Sequence, residues 1–160
     1  MPNFHRIFPR IDYPFSEALG PNMNRTEIQG KLSTVTSELL REKGFISPVD
    51  VFIRLGCLDA KDHEAWRLGR VPCLEMVIKG NLSRINFIMA TLRRNSLRGG
   101  LRASVTGYRA WGKKGGWALR FSKSETPHLE AAYATHFVKT PGLGKRREPA
   151  ETIQEAEIRQ

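Results

Sequence analysis

The chain has 160 residues, 40% of them hydrophobic and 26% charged, a composition that suits one soluble domain with tails. It contains no run of 18 apolar residues, which excludes a transmembrane helix, and Met1–Arg10 lacks the apolar core of a signal peptide. Cys57 and Cys73 cannot form a disulfide framework, so a reducing, cytoplasmic setting is expected.

The net charge of +10 is concentrated in one stretch of the chain. Residues 76–124 carry eleven Lys and Arg and no Asp or Glu, while the remaining residues carry 15 basic and 16 acidic side chains. A foldable block that excludes every carboxylate points to a polyanionic partner. Solubility alone does not require that exclusion.

Residues 1–24 hold four prolines and no period, and are expected to form an extended arm. Ile28, Leu32, Val35 and Leu39 then recur at helical spacing, a stripe that ends at Gly44. Ser47-Pro48 reads as a cap with proline at the first helical position, opening a short helix that Gly56 stops. A third helix is predicted over Ala60 to Leu68, with Asp59 as its cap. After an ambiguous segment from Val71, Asn81 or Ser83 caps a long helix to about Ser96. Its predicted apolar face is Leu82, Ile85, Ile88, Met89 and Leu92, which turns Arg84, Thr91, Arg94 and Arg98 to the opposite side.

The period then changes from helix to strand. Leu101, Ala103 and Val105 alternate with polar residues, as do Trp117, Leu119 and Phe121 beyond the loop Gly112-Lys113-Lys114-Gly115-Gly116. Two alternating runs around a glycine-rich loop predict a β-hairpin with a basic tip. Pro127 starts a last helix with Leu129, Ala132, Tyr133 and Phe137 inward, and residues 139–160 are expected to be a disordered tail. The expected fold is therefore α+β, a mostly helical domain of four to five helices over residues 25–138 with one hairpin.

Catalytic signatures are lacking: the chain has no phosphate-binding glycine loop, no H-E-x-x-H and no G-x-S-x-G. Cys57, His63 and Cys73 lack close-pair spacing and a fourth ligand, so no metal or other cofactor is expected. The order of elements, helices followed by a basic-faced helix and a basic-tipped hairpin, resembles the winged-helix variant of helix-turn-helix architecture. That resemblance implies nucleic-acid binding, with duplex DNA favoured over RNA. Arg84 and Asn86 are the residue types that pair with guanine and adenine, and Thr91, Arg94 and Arg98 would follow the same face. Arg102, Arg109, Lys113, Lys114, Arg120 and Lys123 would meet phosphates. Tyr108 and Trp111 are candidates for stacking on an unpaired base, which keeps RNA and single-stranded DNA open.

The runner-up is a protein-interaction module or assembly subunit docking an acidic partner, or a homodimer. The endings Leu119–Ser124 and Glu130–Phe137 also resemble those of small bacterial proteins, over about residues 45–138, and that resemblance implies no activity.

Overall fold

A computed structural model describes residues 19–20, 22–112 and 116–141. The expected arm at 1–18, the hairpin-tip lysines Lys113 and Lys114, and the tail from 142 onward lie outside the described residues.

Helix α1 (Arg25–Lys43) begins at a reciprocal cap: Asn24 Oδ1 accepts from the Glu27 amide at 2.9 Å, and Glu27 Oε2 accepts from the Asn24 amide at 2.8 Å. Gly44 ends it at φ 77°, a left-handed conformation that favours glycine, and donates its N–H to Leu40. Strand β1 (Phe45–Ile46) leads into α2 (Pro48–Arg54), where Ser47 Oγ accepts from the Asp50 amide at 3.1 Å. Arg54 is buried under α1, its guanidinium donating to Glu38 at 3.3 Å and Glu42 at 2.6 Å. That pair of carboxylates satisfies a charge that would otherwise be costly to bury, and it locks α2 onto α1.

Helix α3 (Ala60–Arg67) follows without a side-chain cap, because Asp59 is engaged with Lys79 instead. A single 3-10 turn (Leu74–Met76) precedes α4 (Leu82–Arg98), which Asn81 caps by accepting from the Arg84 amide at 2.8 Å. Strand β2 (Arg102–Val105), helix α5 (Pro127–Ala134) and strand β3 (Thr135–Val138) complete the described chain. The architecture is α+β and mostly helical, with five α-helices and a small antiparallel sheet of order β1-β3-β2.

The pairing of the strands differs from the expected hairpin. β2 pairs with β3, with Ala103 opposite Phe137 and Val105 opposite Thr135, rather than with residues 117–121. Among the described residues flanking the glycine-rich loop, one isolated antiparallel bridge forms, Arg109 opposite Ala118. Phe137 is buried as expected, yet in a strand: the β-branched run of Thr135 and Val138 leaves the helix at Ala134 and adopts extended backbone. On β2 the anticipated apolar face is not inward either, since Ala103 is exposed and Val105 is 67% exposed.

The core gathers the α1 stripe, α2, Trp66, Leu74, the inner side of α4 and the segment Leu119–Phe121. Phe121 is its aromatic hub, parallel to Tyr133 at 5.8 Å and tilted or edge-on to Trp66 and Tyr108 at 5.2 and 5.1 Å. Residues 120–123 have no strand partner, so their backbone is satisfied by other means. The Arg120 carbonyl accepts from the Trp66 indole at 2.8 Å and from the Leu74 amide, and the Phe121 carbonyl from the Glu75 amide. Glu130 accepts from the Phe121 and Ser122 amides and from the Ser122 hydroxyl, and Glu75 accepts from the Lys123 amide.

Replacing Glu130 by Ala should therefore orphan three donors, two of them on fully buried Ser122. At about 1–3 kcal/mol for each unsatisfied buried group, with partial rehydration, the loss should be at least about 2 kcal/mol in urea unfolding. Glu130→Gln should fall between the two. A loss under about 0.5 kcal/mol for the alanine variant would mean that this segment is held by packing alone.

Candidate functional site

α4 presents its basic residues through a simple rotation. Ile85, Ile88, Thr91, Leu92 and Ser96 are buried, while Leu82 is 68% exposed. The buried stripe is thus turned by about 40° from the expected one, at 100° per residue, toward Thr91. Thr91, placed by the sequence reading on the solvent face, is 1% exposed and cannot touch a partner. Asn86, Arg93, Arg94 and Arg98 are exposed, and Arg93, absent from the expected set, belongs with them.

Arg84 is also drawn inward. It is half-buried, and its guanidinium donates to the Gly20 carbonyl at 3.1 Å, tying the start of α4 to the chain ahead of α1. Arg102 opens β2, an edge strand of the sheet packed beside α4, and is exposed. Among the described residues none of Arg93, Arg94, Arg98 and Arg102 is paired with a carboxylate. Arg98 lies in the last turn of α4, where a cation complements the helix dipole. No such role exists for Arg93 and Arg94.

Several of the remaining described cations of the acid-free block are engaged. Lys79 pairs with Asp59, and Arg120 pairs with Glu125 at 2.6 Å while its Nε is buried without a hydrogen-bond partner among the described residues. Arg109 is exposed but donates to the Gly116 carbonyl. Lys123 is exposed and its backbone is held by Glu75.

The two expected stacking residues are both engaged within the protein. Tyr108 is half-buried against Trp66 and Phe121, and its hydroxyl shares a 2.8 Å hydrogen bond with His136 Nε2. Burial pushes that hydroxyl up to about 12. Trp111 lies under the Arg67 guanidinium, 4.6 Å from its ring centroid, and Arg67 also covers Trp66 and Tyr108 at 5.9 and 5.1 Å. Trp117, which alternates in step with buried Leu119 and Phe121, is nevertheless 50% exposed.

Cys57 and Cys73 are both buried, burial pushing the Cys57 thiol up to about 11, and no group of three or more His, Cys, Asp and Glu among the described residues is placed to hold a metal. An open pocket of about 280 Å³ is lined by Glu75, Ile78, Leu82, Lys123 and Tyr133. Its carboxylate already accepts from Lys123 and from the Tyr133 hydroxyl. No described helix is long and apolar enough to cross a membrane.

Burial holds His63 and His136 below their ordinary value near 6.5, an effect the Arg67 charge reinforces at His63 and the Asp50 charge opposes at His136. Each imidazole takes a proton more readily when the chain unfolds. Their contribution to stability is therefore complete above pH ~6.5 and is lost as pH falls through that value toward the lower folded-state one. Urea unfolding at pH of about 7.5 and about 5.5 should show this decline, and His63→Asn with His136→Gln should flatten it. Equal stability of the parent at both values would contradict the burial of the neutral rings.

No family model, curated protein or solved structure matches the chain.

Proposed function

We propose that this protein is a non-catalytic nucleic-acid-binding domain that grips the phosphate backbone with the outward face of α4 and the start of β2. The observation that supports this reading is the set Arg93, Arg94, Arg98 and Arg102. All four are exposed, and none has a carboxylate partner among the described residues, whereas buried Arg54 and half-buried Arg120 each have one. Unpaired guanidinium groups repel one another, and a cluster of them is stabilised by an external polyanion whose counterions they release. Arg84 and Thr91 face inward, which leaves Asn86 as the exposed base-edge candidate in the first turns of α4, beside arginines suited to phosphate contacts.

A second reading is supported by apolar surface at the same place. Leu97 is 43% exposed between the arginines, and Val105 projects from the edge strand β2. An acidic protein docking there would use both features.

The triple variant Arg93→Ala, Arg94→Ala, Arg98→Ala separates the readings. It should keep the parent's thermal midpoint, because all three side chains are exposed. Binding to nucleic acid should weaken regardless of sequence, and the slope of log K against log salt should become shallower by about 0.7–0.9 for each lost phosphate contact. Unchanged affinity and slope would remove α4 from the interface. Absence of salt-dependent binding by the parent itself would favour the acidic protein partner.

A further inference from the structure

We infer that the open face of the Trp117 indole is a stacking platform for an unpaired nucleobase, which makes single-stranded nucleic acid the preferred form of the ligand. This rests on the nucleic-acid reading above and specifies its substrate class.

Trp117 is the anomaly among the aromatic residues of the domain. Trp66 is fully buried with its indole N–H donating to the Arg120 carbonyl, and Trp111 is covered by Arg67. Trp117 leaves half of its surface to solvent, although it is the largest apolar side chain in an otherwise inward-turning run, with Leu119 and Phe121 buried beyond it.

Its position is nonetheless built. The six-membered ring of the indole rests on Gly69, where a Cβ would overlap Cζ2, and Gly69 sits at φ 72°, a conformation that a side chain would strain. The backbone on either side is fixed as well: the Trp117 carbonyl accepts from the Ala110 amide at 3.0 Å, and the Leu119 amide donates to Tyr108 at 2.8 Å. The Cζ2 edge of the indole is therefore seated against the end of α3, and half of the residue's surface is open to solvent. A large aromatic ring held at its edge and half open to solvent fits a flat, apolar ligand of similar size.

The surrounding charge selects which flat ligand. Arg70, next to Gly69, is exposed, and so is Arg109, whose guanidinium reaches the carbonyl of Gly116, the residue before the indole. Arginines beside an exposed aromatic ring match a nucleotide, with its phosphate on the cation and its base on the ring. A base inside a duplex has both faces covered by its neighbours, so only an unpaired base can use the platform.

Three variants of the full chain test this against a twelve-nucleotide oligo(dT), an oligo(U) of equal length and a duplex of equal length. With the parent, either single strand should quench tryptophan emission, since Trp117 is the most exposed of the three indoles. Trp117→Leu keeps apolar packing on Gly69 and removes the π-face. It should weaken single-strand binding by roughly 5- to 150-fold, the range expected for one stacked base, without changing the salt slope. Trp117→Tyr should restore most of the affinity. Gly69→Ala should reproduce the loss with the indole still present, because it displaces the ring. Wild-type binding of both single strands by Trp117→Leu would overturn the platform, and so would an equal loss on duplex. In either case a weakened Arg93/Arg94/Arg98 variant would leave the backbone reading standing. Failure of the parent to bind any of the three probes in a salt-dependent way would overturn both.

Discussion

The fold depends on giving hydrogen-bond partners to four consecutive residues that have no strand beside them. Phe121 and Ser122 at the middle of this run are buried in the core, where unsatisfied backbone groups are expensive, while Arg120 is half-buried and Lys123 exposed. The partners come from three distant places: the Trp66 indole on α3, Glu75 on the 3-10 turn and Glu130 on α5. Each of these bonds also fixes an element. α3 cannot move without freeing the Arg120 carbonyl, and α5 cannot move without exposing the donors of Phe121 and Ser122. Because β3 continues directly from α5, the same carboxylate sets where β3 lies, and hence where β2 and its leading Arg102 are placed. The central strand-like segment thus connects the aromatic core to the basic surface.

This arrangement explains how an acid-free block can belong to a stable core. Within residues 76–124 no carboxylate is present to neutralise a buried cation or to accept from a buried amide. The required acceptors are imported from outside the block: Asp59 for Lys79, Glu125 for Arg120, Glu75 and Glu130 for the backbone. Arg84 takes a carbonyl, that of Gly20, in place of a carboxylate. Cations that fold inward or lie near these acceptors are thereby spoken for. Those on α4 from Arg93 onward are beyond the reach of any described acid. Among the described arginines of the block, those without a carboxylate partner include one helix face and one strand end, although the sequence spreads the charge over 49 residues.

Helices were legible in the sequence because their signals are local. Asn24 with Glu27, Ser47 with Pro48 and Asp50, and Asn81 each form their caps within four residues, and the bounds of α1, α2 and α4 follow from them. The sheet was not legible for the opposite reason. Alternation along Leu101–Val105 states that a strand is present but not which strand accepts it, and the nearest alternating run is the wrong partner here. Thr135–Val138 follows α5 with no intervening turn residue, so its apolar positions continue a helical stripe on paper. The candidate site was half legible. Arg94, Arg98 and Arg102 are where their spacing suggests, while Thr91 was misplaced because a polar residue at the stripe's margin carries no mark of burial.

Trp117 shows where pattern reading reaches its limit. An aromatic residue at an alternating position is assigned to the core by its hydrophobicity, and neither Leu119 nor Phe121 contradicts that assignment. What excludes Trp117 is the volume already filled on the inner side by Trp66, Tyr108 and Phe121, which pack within 5.1 to 5.6 Å of one another. Tyr133 is stacked on Phe121 as well, at 5.8 Å, and protein interiors tolerate overpacking poorly. The ring is consequently displaced onto Gly69, the one position at the end of α3 with no side chain to oppose it. Exposure of the indole is thus a consequence of how completely the core is occupied, and the glycine that ends a helix also provides its seat.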